Sequence, residues 1–128
     1  MSNYGYTRQV SMTFEDAEKK VREELQKEGF GVLTEIDVKA TLKKKLDVDF
    51  SKYKILGACN PQLTYKALQA EQELGLLLPC NIILYEKDNK TFAAAINPTV
   101  QMEKIGNQKL REIAAQVEDK LKKVIDSM

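Results

Sequence analysis

Two short segments each join a cysteine to an asparagine with a proline alongside: Cys59-Asn60-Pro61 and Pro79-Cys80-Asn81. Asparagine is a favoured helix N-cap and proline is at home in the first helical turn, so Asn60-Pro61 predicts a helix starting just after Cys59. Free N–H groups and the helix dipole at such a start favour an anion, and a thiol placed there is biased toward its reactive thiolate. Cys59 is therefore the candidate catalytic nucleophile and, with Asn60, the centre of the expected ligand site. Cys80 and Asn81 make its second half. Cys80 falls in an apolar run, where free cysteine usually serves as a small buried hydrophobe, and the same plain role is open to Cys59 at a strand end. If the strands that carry them are neighbours, the thiols come within reach, as a redox pair or a holder of a soft ion such as Cu(I). Two thiols alone do not close a zinc site, and neither a metal site nor a cofactor is expected.

The missing residue types bound the chemistry further. The chain has no histidine, which excludes Ser-His-Asp and Cys-His nucleophiles, imidazole-ligated zinc and imidazole pH switches. Any catalysis rests on Cys, Lys, Tyr or carboxylates, and the sequence leaves open whether the protein is an enzyme. Asp37 reads as an N-cap, and Lys39 or Lys54 is the candidate cation to steady an anionic group beside Cys59. Gly29-Phe30-Gly31 imitates a nucleotide fingerprint but lacks the third glycine and follows a helix, so it is a helix exit. Six lysines at positions 39–54 face only Asp47 and Asp49, with no arginine among them. Lys43, Lys44 and Lys45 fan around a helix as a solvated face does, and no nucleic-acid partner is expected.

The 128 residues suit one domain, taken as 1–128, and 43% hydrophobic with 30% charged residues is an ordinary globular composition. A net charge of +1 gives no field to draw the chain onto nucleic acid or an anionic membrane. Residues 1–10 hold no apolar signal core, and the longest apolar run, 76–84, is interrupted by Pro79 and Asn81 and too short to span a bilayer. Two cysteines without an export signal read as cytosolic thiols, so a cytoplasmic location is expected.

Residue patterns then give the elements that must position the cysteines. Tyr4, Tyr6, Arg8 and Val10 alternate with Gly5, Thr7 and Gln9 as a half-buried first strand. Thr13 caps a helix whose Phe14, Ala17, Val21 and Leu25 share one face, and Gly29 ends it. A second strand over 30–36, a short Lys-rich helix over 38–46 and a third strand over 53–58 lead to Cys59. A helix follows Asn60-Pro61 with Leu63, Ala67, Leu68 and Ala70 as its apolar side. Residues 76–85 form a near-continuous apolar strand of the kind covered on both faces. A hairpin through Asp88-Asn89 and a strand over 91–96 follow, closed by Asn97-Pro98, and a long helix covers 107–127. The expected fold is α+β, a single domain with a mixed or mostly antiparallel five-stranded sheet and helices packed on it, in the order β-α-β-α-β-α-β-β-α.

The ordered segments GFGVLTEIDVK (29–39), YKILGACNP (53–61) and LLLPCN (76–81) resemble the domain-of-unknown-function-302 family, and the likeness covers nearly the whole chain. That resemblance implies a small single α+β domain that associates as a homodimer and has no established activity. It places Asp37, Lys39, Cys59, Asn60, Pro61, Pro79, Cys80 and Asn81 among the signature positions. The expected function is a homodimeric small-ligand-binding or thiol-responsive module using Cys59, Asn60, Cys80, Asn81, Asp37 and Lys39, with a small anionic or thiol-reactive ligand. The alternatives are a sulfur-transferring thiolate enzyme built on Cys59 and a purely structural or interaction domain.

Overall fold

The computed structural model describes residues 3–128. Met1 and Ser2, which belong both to the stretch read as free of a signal core and to the 1–128 domain assignment, lie outside the described residues. The strands are β1 (Gly5–Val10), β2 (Gly31–Asp37), β3 (Tyr53–Cys59), β4 (Cys80–Lys87) and β5 (Lys90–Ile96). They form one sheet in the order β1-β5-β4-β3-β2, with every neighbouring pair antiparallel. The helices are α1 (Phe14–Lys27), α2 (Val38–Leu46), α3 (Pro61–Ala70), α4 (Pro98–Gln101) and α5 (Gln108–Asp126), with 3-10 turns at Gln72–Leu77 and Glu103–Ile105.

Strand alternation divides the side chains between two faces. Leu56, Ala58, Cys80, Ile82, Leu84, Ala93 and Ala95 point to one face and join Phe14, Ala17, Val21 and Leu25 of α1 and Leu121, Val124 and Ile125 of α5 in the main core. Tyr6 and Arg8 of β1 reach the same side and hold the end of α5, the Tyr6 hydroxyl donating to Asp126 Oδ1 (2.7 Å) and Arg8 to the Asp126 carbonyl (2.6 Å). A second apolar cluster lies beyond the sheet's end, where Leu63 and Ala67 of α3 meet Leu110, Ile113 and Ala114 of α5, Leu74 and Met102.

Local signals account for the element ends. Thr13 Oγ1 accepts from the Asp16 N–H and Asp37 Oδ1 from the Ala40 N–H, capping α1 and α2. Asp88 and Asn89 both have positive φ, the geometry of the tight two-residue hairpin turn between Lys87 and Lys90. Four sequence expectations change. The first strand starts at Gly5, so Tyr4 lies outside it at 61% exposure. The fourth strand starts at Cys80 and not at residue 76: Pro79 lacks the N–H a ladder needs, and the preceding residues coil into a 3-10 turn with Leu76 85% exposed. Cys80 is therefore the first residue of its strand. Asn97-Pro98 opens the short helix α4 as well as ending β5. Leu68 turns outward at 38% exposure and does not belong to the buried side of α3.

Candidate functional site

Cys59 ends β3, and Asn60 turns the chain into α3. The Asn60 side chain does two jobs: its Oδ1 accepts from the Leu63 N–H (3.3 Å) and its Nδ2 donates to the Glu28 carbonyl (3.3 Å). It thus clasps the exit of α1 to the start of α3, and two first-turn donors, the Leu63 and Thr64 N–H groups, are already taken by Asn60. The Cys59 sulfur lies 3.2 Å from Thr64 Oγ1, one helical turn on, so the thiol is tied down by a hydroxyl. Cys59 is half-buried and Cys80 buried, and both are free thiols.

The two cysteines meet at a cavity. In the β3–β4 register Ala58 pairs with Cys80, which sets Cys59 one residue past its neighbour's thiol. Both side chains line a cavity of about 280 Å³ at the end of the sheet, in the seam between the two apolar clusters. Leu63, Thr64 and Ala67 of α3 form one wall, and Leu110, Ile113, Ala114 and Val117 of α5 another. Leu74 and Leu78 from the segment between α3 and β4, Pro98 of α4 and Met102 just after it complete the lining, while Leu33 and Thr34 are exposed lining residues and Cys59 is half-buried. No lining residue carries a formal charge. Burial, with the Cys59 thiol nearby as a smaller cause, pushes the Cys80 pKa up to about 11, so Cys80 stays protonated at neutral pH.

The exposed lining has a tight joint beside it. At Val32/Thr34 the β2–β3 register shifts, so Leu33 is the extra residue of a bulge and Thr34 faces Gly57. A Cβ on Gly57 would stand 2.1 Å from Thr34 Oγ1 and 2.6 Å from Pro79 Cγ, so only glycine lets these two lining residues close over β3.

The other expected site residues go elsewhere. Asn81 is exposed on the opposite face of the sheet, in a depression lined by strand residues and Tyr4. Asp37 caps α2, and Lys39 donates to the Phe50 carbonyl (2.7 Å). Asp37 pairs with Lys54 and Gly31 with Cys59, which puts the Asp37 end of β2 about 20 Å from the thiol at strand rise. Lys54 points to the helix layer and pairs with Glu18 at 2.8 Å. The structure therefore brings Cys59, Asn60 and Cys80 together and leaves Asp37, Lys39 and Asn81 apart from them. Among the described residues no group of three or more His, Cys, Asp or Glu side chains could hold a metal ion, and no helix is long and apolar enough to cross a membrane.

The family model described as a domain of unknown function, DUF302, matches residues 6–128. The chain belongs to the DUF302 family. A solved relative of this DUF302 chain, the crystal structure of an uncharacterized conserved protein DUF302 from Bacillus stearothermophilus, superposes with a TM-score of 0.93. It shares 31% sequence identity over 98% of each chain. No curated protein matches the chain. The α+β fold with its five-stranded sheet is thus that of the DUF302 relative, and neither comparison brings an activity with it.

Proposed function

We propose that this DUF302 protein is a homodimeric, cytoplasmic module that binds a small molecule in the cavity behind Cys59, with the Cys59 thiol making occupancy sensitive to thiol chemistry. One observation carries the reading: an apolar cavity of about 280 Å³ persists between two well-packed clusters, with a free, half-buried thiol in its lining. Protein interiors are packed to crystal-like density, so a cleft of this size inside the fold is a binding feature before it is a packing one. A thiolate enzyme fits less well, because no lining residue provides a counter-ion, acid or base for a charged sulfur intermediate.

The sheet's second face supports the homodimer. Ile55, Ile83 and Ile96 lie half-buried there, beside a stack of Tyr53, Tyr85 and Phe92 with ring centroids 5.7 and 5.1 Å apart. Phe50 extends the stack at 6.2 Å from Tyr53. The apolar pattern of β4, legible on both of its faces, is that of a strand covered twice, and the helices of one chain cover it once. The helix α2 buries none of its residues and leaves Leu46, with the nearby Ile36, Val48 and Phe50, exposed. A second copy provides a matching apolar sheet face, which is the closed, self-complementary solution.

Titration of the native protein with N-ethylmaleimide, combined with mass analysis of small molecules retained through purification, tests the binding reading. The expected result is one modified thiol per chain, Cys59, and loss of the retained molecule on modification. A native protein whose Cys59 is inert and which retains and binds no small molecule refutes it.

A further inference from the structure

We infer that the cavity takes an uncharged, largely hydrocarbon ligand of about ten to twelve heavy atoms, with its one polar group held by the Cys59–Thr64 pair. The inference rests on the reading of this cavity as the binding site and specifies its ligand class. An engineered apolar cavity of about 150 Å³ binds benzene, so one of about 280 Å³ suits a ligand about twice that size.

Charge excludes the other classes. A carboxylate or ammonium moved into an apolar site must be met by an opposite charge and by hydrogen bonds, or it stays in water. None of the lining residues is Asp, Glu, Lys or Arg. The nearest candidate cation on β3, Lys54, is held by Glu18 on the helix side of the sheet, and Lys39 is engaged with the Phe50 carbonyl at the other end of β2. A small anion, the class expected from the lysines of the sequence, thus meets no cation in the cavity.

Polar groups are few in the cavity lining. Leu74, Met102, Leu110, Ile113 and Ala114 are all buried and offer only hydrocarbon and a thioether. The polar groups of the lining lie at the bend from β3 into α3, where the Thr64 hydroxyl shares its hydrogen bond with the Cys59 sulfur. A hydroxyl offers one donor and two acceptor positions, so the Thr64–Cys59 pair still has capacity for one neutral hydroxyl or carbonyl. The Asn60 amide, which bridges Leu63 and Glu28, uses one of its two N–H donors and one of its two acceptor positions in doing so.

A matched ligand series tests this: 1-decanol, decanoate and decylammonium, each below its aggregation concentration at pH 7. The readouts are the melting temperature and the rate at which N-ethylmaleimide modifies Cys59. Decanol should raise the melting temperature in a saturable way and slow Cys59 modification, with an apparent affinity more than about tenfold above that of either ion. Ala114→Phe, which fills the cavity from α5, should remove both effects. Ala67→Leu adds less bulk from α3 and should weaken them if the larger change prevents folding. Equal or tighter binding of decanoate or decylammonium, with Cys59 protected, overturns the ligand class and leaves the site standing. Failure of all three to bind or to protect Cys59 in the folded protein overturns the ligand class and the site together.

Discussion

Gly57→Ala is the sharpest probe of the exposed lining. The added methyl would stand 2.1 Å from Thr34 Oγ1 and 2.6 Å from Pro79 Cγ, where carbon and oxygen normally keep more than 3 Å. Neither neighbour is the loose end of a long chain. Thr34 is β-branched and restricted at χ1, so turning its hydroxyl aside costs a rotamer change and leaves the contact with Pro79, whose ring has almost no freedom. Strand separation is the remaining relief, and it breaks β2–β3 or β3–β4 ladder bonds. Overpacking of this kind costs about 1–3 kcal/mol, and two simultaneous clashes put Gly57→Ala near the upper end, about 3 kcal/mol. For a domain of this size that is a fall of roughly 10 °C in melting temperature. Urea unfolding followed by far-UV circular dichroism reads it as a lower midpoint at unchanged slope. Thr34→Ala in the same chain removes the shorter clash and leaves the one with Pro79. The double variant should therefore recover about 1–2 kcal/mol of the loss, a coupling expected only of side chains in contact. A Gly57→Ala protein within about 0.5 kcal/mol of wild type, or a Thr34→Ala effect that merely adds, refutes the close approach of Thr34 and Pro79 over β3.

Three further outcomes follow from the same geometry. The buried Cys80 thiol keeps its proton to about pH 11 in the folded chain, while the unfolded chain releases it near pH 9. Stability should fall by about 2–3 kcal/mol more between those values in wild type than in Cys80→Ala, measured by urea titration at each pH. Asn60→Ala removes the α3 cap and the clasp to Glu28 and should lower stability by about 1–2 kcal/mol, read from thermal melts, with the sheet intact by circular dichroism. Ile83→Lys places a charge in the middle of the uncovered sheet face and should convert a dimer to a folded monomer in sedimentation equilibrium; an unchanged mass rules out that face as the joint.

Much of the fold was legible because its punctuation is local. Asp37 and Thr13 cap helices where their side chains were expected to, and α2 spans the stretch read for it. The stretch before Cys80 shows the limit: hydrophobicity fixed neither burial nor backbone direction there, so Leu76, which is 85% exposed, and Leu77 looked like strand while Pro79 was the informative residue. Asn97-Pro98 carried the same helix-start signal as Asn60-Pro61 and deserved the same reading. The cysteines, too, were visible as a pair. Their cavity was not, because its walls come from β2, β3, β4, three helices and two irregular segments, and no local motif spans them. The lysines misled for a related reason: Lys54 lies near the start of β3, opposite Asp37, and the extended strand carries it away from Cys59 although the two are close in sequence.

The placement of β1 has a consequence for the order in which the chain assembles. Strands β2 to β5 lie side by side in the order in which they occur along the chain, whereas β1 crosses the whole sequence to pair with β5, Tyr6 opposite Ala95. Tyr6 and Arg8 then fasten the last turn of α5, so the contacts of longest sequence separation are concentrated in one strand. Closing so large a loop pays its entropy before any contact rewards it, so the meander forms first and β1 docks late. In the native protein the same asymmetry makes β1 and the end of α5 one cooperative opening unit. Amide exchange should therefore release Tyr6, Arg8 and the last turn of α5 together, ahead of the central strands.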